Sequence, residues 1–160
     1  MPITYEEGMK YALRLISFKD YPKKLLLRKL MGKGFEPTLA ERVTSELVEK
    51  GYLDEKKQIV RVWEKLKANC NSGRKAFLYN LKREEYDIES IKLAESLYSE
   101  EEEASLANDV FKKICRKLTK SNIDQAKQKQ RIYSFLMRKG FSQETIRGLI
   151  KEYEKDKGDI

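Results

Sequence analysis

A chain of 160 residues with 38% charged and 40% hydrophobic residues, but only 8 glycines and 3 prolines, has material for a core and too few turns for a sheet-rich fold. It contains no histidine, which removes the histidine base, the histidine-activated nucleophile and the common zinc sites together. No apolar run reaches the roughly 18 residues of a membrane span, Thr4-Tyr5-Glu6-Glu7 stands where a signal peptide would carry positive charge, and Cys70 and Cys115 read as reduced thiols without metal-ligand spacing, so the expectation is a cytoplasmic protein with no metal or other cofactor.

Taken in chain order, Thr4 and Glu7 form a capping box, from which Tyr5, Met9, Ala12, Leu13 and Ile16 run as a first apolar stripe. Asp20 and Pro22 restart the chain. A second helix turns Leu26, Leu27, Leu30 and Met31 inward and ends near Gly32 and Gly34; Pro37 opens a third that buries Leu39, Val43 and Leu47. Gly51 is placed as a left-handed cap with Tyr52 and Leu53 folding back, and Asp54 begins a second set. That set uses Ile59, Val62, Trp63 and Leu66, then Phe77, Leu78 and Leu81, then Ile88, Ile91 and Leu97, with a break at Asn71-Ser72-Gly73. Ser99 and Glu102 predict a capping box before a third set, whose other nearby glutamates face the helix dipole. It runs through Ala104, Ala107, Val110, Phe111, Ile114 and Leu118, then from near Asp124 through Ile132, Tyr133, Phe135 and Leu136, then Ile146, Leu149 and Ile150. The tail from Lys155 to Ile160 is expected to fray.

The three sets are copies of one unit. Lys33-Gly34-Phe35 recurs as Lys139-Gly140-Phe141, with Glu84-Glu85-Tyr86 in the same slot; Leu30, Leu81 and Leu136 precede that turn, and Ala40, Ile91 and Ile146 follow it. A unit of about 50 residues buries too little apolar surface alone, so the expected fold is all-α, three tandem three-helix repeats over residues 1–53, 54–98 and 99–160. Phe35, Tyr86, Phe141 and Trp63 read as core plugs rather than base-stacking platforms. Gly34, Gly51, Gly73 and Gly140 read as structural.

Charge divides along the same boundaries. Residues 10–33 hold eight Lys or Arg against one acid, residues 56–83 nine against one, and residues 112–139 ten against one, whereas residues 84–103 hold nine acids against one base. A charge run is ordinarily a solvated face. Recurrence in every set, nearly free of the carboxylates that would form intrahelical pairs, instead favours contact with a phosphate backbone or an acidic protein surface. The contact candidates are Lys23, Lys24, Arg28, Lys29, Lys33, Arg61, Lys65, Arg74, Lys75, Lys82, Arg131, Arg138 and Lys139. Gly32 and Gly34 are not followed by a phosphate-binding loop, so catalysis is the least supported function.

Ala12-Leu13-Arg14-Leu15, the turn from Leu30 to Phe35, Gly51-Tyr52-Leu53-Asp54-Glu55, Ser72-Gly73-Arg74 and Phe135-Leu136-Met137-Arg138-Lys139-Gly140-Phe141-Ser142 together resemble the RecX family of recombination regulators. The resemblance spans nearly the whole chain and implies an elongated, curved, all-α protein of three three-helix repeats. It also implies binding to the RecA recombinase filament on single-stranded DNA, with inhibition of the recombinase's ATPase, strand-exchange and coprotease activities; the chain itself is expected to be a monomer with no membrane partner. Ser17-Phe18-Lys19, Glu84-Glu85 and Lys56-Lys57-Gln58-Ile59 depart from the family pattern. The alternatives are a basic helical-repeat protein that binds nucleic acid without a recombinase, and a helical adaptor for another acidic protein.

Overall fold

Helix ends set the architecture, and the chain marks them with caps and left-handed turns. The structure, a computed structural model, describes residues 3–69, 72–120 and 122–158. Cys70 and Asn71, with the thiol and the turn expected there, lie outside these residues, as does the end of the tail at Ile160. Among the described residues there are nine helices and no strand: α1 Tyr5–Phe18, α2 Lys23–Lys33, α3 Pro37–Glu49, α4 Glu55–Asn69, α5 Arg74–Arg83, α6 Ile88–Leu97, α7 Glu100–Leu118, α8 Gln125–Arg138 and α9 Gln143–Gly158. In chain order they make three groups of three, of which the first and the last pack pairwise among themselves. Helix α9 continues to Gly158, past the point where fraying was expected. None of the nine is long and apolar enough to cross a membrane.

The capping box at Thr4 and Glu7 closes the start of α1 in both directions. The second helix of each group ends in one recurring turn. Gly34, Glu85 and Gly140 occupy its left-handed position at φ 107°, 67° and 86°, and the next amide returns to the carbonyl five residues back: Phe35 to Leu30, Tyr86 to Leu81, Phe141 to Leu136. Each aromatic is thereby carried into the interior, where all three rings are buried.

Contacts divide the chain into two compact units, Met1–Val62 with Leu81–Leu93, and Trp63–Asn80 with Ala94–Ile160. In the first, α1, α2 and α3 pack pairwise around Ala12, Leu26, Leu30, Phe35, Ala40, Val43 and Leu47. Gly8 on α1 lets Leu39 come so near that an added Cβ would lie 3.0 Å from its Cδ2. Leu53 folds back into this core as expected, whereas Tyr52 stands exposed. In the second unit α7, α8 and α9 pack pairwise around Leu106, Ala107, Val110, Ile132, Leu136, Phe141 and Ile146. Trp63, Phe77 and Tyr98 form a buried aromatic cluster with centroids 4.7–6.0 Å apart. Gly73 touches the Gly140 turn so closely that its amide donates to the Lys139 carbonyl at 2.7 Å and a Cβ would sit 2.3 Å from Gly140 backbone atoms.

Four positions expected inward face outward: Leu13, Met31, Ile88 and Ala104. Leu13, Met31 and Ala104 each lie about 100° around the helix from a buried neighbour, as Leu13 does from Ala12, and Ile88 is the first residue of α6, so the stripes are narrower than their apolar sequence. At α7 the Ser99 hydroxyl accepts from the Glu102 amide as expected. Glu103 does not stay with its own helix. It is buried, and its carboxylate accepts from the Ser142 amide, 3.0 Å away at the start of α9, where it faces the positive end of a second helix dipole.

Candidate functional site

Side chains of α7 and α8 build a groove in the second unit. Helix α7 begins at the Ser99 cap with four glutamates in its first turn and ends with Arg116 and Lys117, a charge order that suits its dipole. Asp124 caps α8 by accepting from the Lys127 amide at 2.8 Å. The helices are knitted by Leu106, Ala107 and Val110 on one and Ile132 and Leu136 on the other, all buried. Toward the far end of α7 the apolar residues are only half buried, at Ile114, Leu118 and Phe135. There the helices leave an open groove of about 800 Å³.

The floor of that groove is Val110, Ile114, Leu118 and Phe135, and its rim carries Lys113, Lys117, Lys127, Arg131, Arg138 and Lys139. Asn69, Gln130 and Ser134 complete the lining, which contains no carboxylate. None of the six cations is ion-paired among the described residues; Arg138 and Lys139 lie over the Phe135 ring, 5.9 and 5.6 Å from its centroid. Lys113 and Lys117 are four residues apart, as are Lys127 and Arg131, so like charges stack on each helix face, an arrangement that weakens a helix by about 0.2–0.5 kcal/mol per pair.

Of the sequence-derived contact candidates, Arg131, Arg138 and Lys139 are brought together here. Lys113, Lys117 and Lys127 were not singled out from the sequence, although their spacing of four along carboxylate-poor helices was there to be read. The exposed Arg28, Lys29 and Lys33 of α2 border a smaller hollow of about 510 Å³ with Tyr11, Leu25 and Gly32. Lys23 and Lys24 are exposed at the start of that helix, Lys65 is exposed on α4, and Lys75 and Lys82 are exposed on α5.

Three candidates already have acceptors in their own chain. Arg61 forms a two-pronged pair with Asp20, Nη2 at 2.7 Å and Nε at 3.1 Å, and the hydrogen bond to Asp20 raises its pKa. Arg28 pairs with Glu85. Arg74 donates to the carbonyls of Tyr98 and Glu95, closing the open end of α6. A carboxyl pair lies in the first unit. Glu55 accepts from the amides of Lys23 at 2.9 Å and Asp87 at 3.4 Å, and burial, then the neighbouring Asp87 carboxyl, push it up to about 7. Asp87 is held below the usual carboxylate range, chiefly by its hydrogen bond with Glu55. This pair caps α2 and α6, the placement of a structural joint. Among the described residues no group of carboxylates and thiols is arranged to hold a metal ion.

Residues 100–150, which hold α7, α8 and the first half of α9, match the family model of the RecX third three-helix domain. No curated protein matches the chain. Among solved structures, a crystal structure of RecX from Lactobacillus salivarius is similar with a TM-score of 0.80 and 18% identity, covering 94% of this chain and 96% of that one. A crystal structure of regulatory protein RecX is similar with a TM-score of 0.78 and 18% identity, covering 92% of this chain and 73% of that one.

Proposed function

We propose, from the match of residues 100–150 to the RecX third three-helix domain and from a fold like that of solved RecX structures, that the chain is a RecX-family regulator that binds the RecA recombinase filament on single-stranded DNA and inhibits its ATPase, strand-exchange and coprotease activities. The observation that carries this reading is a coincidence of place. The residues that match the RecX domain are those that build the cation-rimmed groove, apart from Asn69 at its edge. An unpaired cluster of six cations costs helix stability and is retained where an acidic surface or phosphate backbone must be met. Repeated three-helix units supply several weak contacts to a polymeric partner, and linked weak contacts raise effective concentration. The role needs no covalent chemistry, no cofactor and no second copy of the chain.

Titration of single-stranded-DNA-dependent ATP hydrolysis by the cognate recombinase, at fixed salt and excess DNA, tests this. Inhibition at fewer than one copy per recombinase is expected; no inhibition, or inhibition relieved by adding DNA, overturns it. Replacing Arg131, Arg138 and Lys139 together by Glu is expected to weaken inhibition at least about tenfold with an unchanged melting temperature, because exposed charges contribute little to stability.

The six cations also support a second reading, a nucleic-acid-binding protein that acts without a recombinase. It predicts the same affinity for single strands with and without the filament, and a logarithmic salt slope of about 0.7 per phosphate neutralised.

A further inference from the structure

The groove recurs in the fold, and the recurrence carries more than its charge does. Leu25, Arg28, Lys29, Gly32 and Lys33, which line the hollow of the first unit, stand in the same register as Arg131, Ser134, Phe135, Arg138 and Lys139, which line the groove of the second. One position on the repeat thus opens twice between or beside its first two helices. In the first unit it is a hollow of about 510 Å³ with Tyr11 at its side. Tyr11 packs against Phe35 with centroids 5.9 Å apart, and Lys33 lies 5.7 Å above its ring. In the second unit Lys139 lies likewise over the Phe135 ring, and the site is both larger and more apolar at its floor.

We propose that the α7–α8 groove is the docking site for an acidic amphipathic helix of a protein partner. This rests on the reading of the chain as a regulator that acts by binding another protein, and it names the chemistry of that contact. Two features select the occupant. The floor of Val110, Ile114, Leu118 and Phe135 offers an apolar strip along two helices, which a third helix covers with residues at i, i+4 and i+7. The rim has six cations and no acid, so the helix that lies there carries carboxylates on its flanks. A single strand of nucleic acid satisfies the rim but not the floor. Successive bases need several aromatic faces to stack on, and the lining offers one ring, Phe135, beside three aliphatic side chains.

The probe is a synthetic peptide of about 14 residues with leucines at helical spacing and glutamate and alanine elsewhere, compared with a scrambled peptide of the same composition. Binding is followed by fluorescence anisotropy, and the site is mapped by backbone amide shifts in labelled full-length protein. The striped peptide is expected to bind at least about tenfold more tightly than the scrambled one, with shifts concentrated on α7 and α8. Lys117→Glu combined with Arg131→Glu is expected to weaken it about tenfold or more, Phe135→Ala to weaken it likewise, and Lys10→Glu combined with Arg14→Glu, both exposed on α1, to leave it unchanged; circular dichroism and melting show each variant folded. Equal binding of the two peptides, shifts elsewhere, or a thymidine oligonucleotide of about 20 nucleotides binding more tightly through the same residues each overturn the proposal. Recombinase inhibition that persists when the peptide fails to bind sinks the groove assignment alone. A peptide that docks as described on a protein without effect on the recombinase sinks the recombinase reading alone.

Discussion

Single residues in this fold are held by contacts that fix both their burial and their ionisation. Phe141 shows the first: its ring is 2% exposed beneath a turn that Gly140 alone can shape, since a Cβ there would lie 2.3 Å from the Cβ of Ala76. Phe141→Ala is expected to lower unfolding free energy by about 3–5 kcal/mol in urea titration. Glu85 takes the same left-handed place as Gly140 with a side chain, a strained choice for a non-glycine residue, and its pair with Arg28 is the compensation seen. Glu55 shows the second. A carboxyl raised in the fold from 4.5 to about 7 holds its proton more tightly folded than unfolded. Its contribution to stability is therefore full below the unfolded value and lost as pH rises through the folded one. Asp87, depressed in the fold, contributes above its ordinary value and loses that only in more acid solution. Glu55→Gln copies the protonated form, so its melting temperature relative to the native chain is expected to rise from about pH 5 to about pH 7.5; a constant difference would refute the raised carboxyl.

At the scale of elements, the helix ends are closed by neighbouring helices as well as by their own sequence. Arg74 on α5 satisfies the last carbonyls of α6, and the Tyr98 hydroxyl donates to the Ser72 carbonyl just before α5 at 2.8 Å. Glu103 leaves the acidic first turn of α7 to cap α9, where Ser142 already accepts from the Thr145 amide. A buried charged acceptor that serves a backbone amide is worth more than an exposed glutamate in the same turn. Glu103→Ala is expected to cost about 1.5–3 kcal/mol, and Glu101→Ala, which is exposed, within about 0.5 kcal/mol. Equal effects in thermal melts would show that the reach to α9 contributes nothing.

For the whole molecule, the formal net charge of +8 understates how unevenly charge is distributed. The acids gather in residues 36–55 and 84–103, where several act as caps and pair partners, while the groove collects six cations without a carboxylate. Binding and stability therefore oppose each other there. Lys113→Glu creates a favourable Glu-to-Lys pair with Lys117, four residues on, and is expected to raise stability by about 0.3–0.5 kcal/mol while weakening recombinase inhibition. A variant that gains stability and keeps full inhibition would remove this groove from the proposed function.

The helices, their caps and the recurring turn were determined by the sequence itself, because each depends on residues within one or two turns: Thr4 with Glu7, Ser99 with the Glu102 amide, Pro37 at the start of α3, and the aromatic that follows each left-handed position. Periodicity also identified the buried stripes, but not their edges, since Leu13, Met31 and Ile88 are separated from core positions by a rotation that only packing fixes. Charge counts marked α8 as basic without revealing which cations stand free. That was decided in the tertiary structure, where Arg61 met Asp20, Arg28 met Glu85 and Arg74 met the end of α6 across 41, 57 and 24 or fewer residues of chain. The groove itself depends on the separation of α7 and α8 beyond Val110, a distance set by side-chain volumes on both helices at once and therefore by no local stretch of sequence.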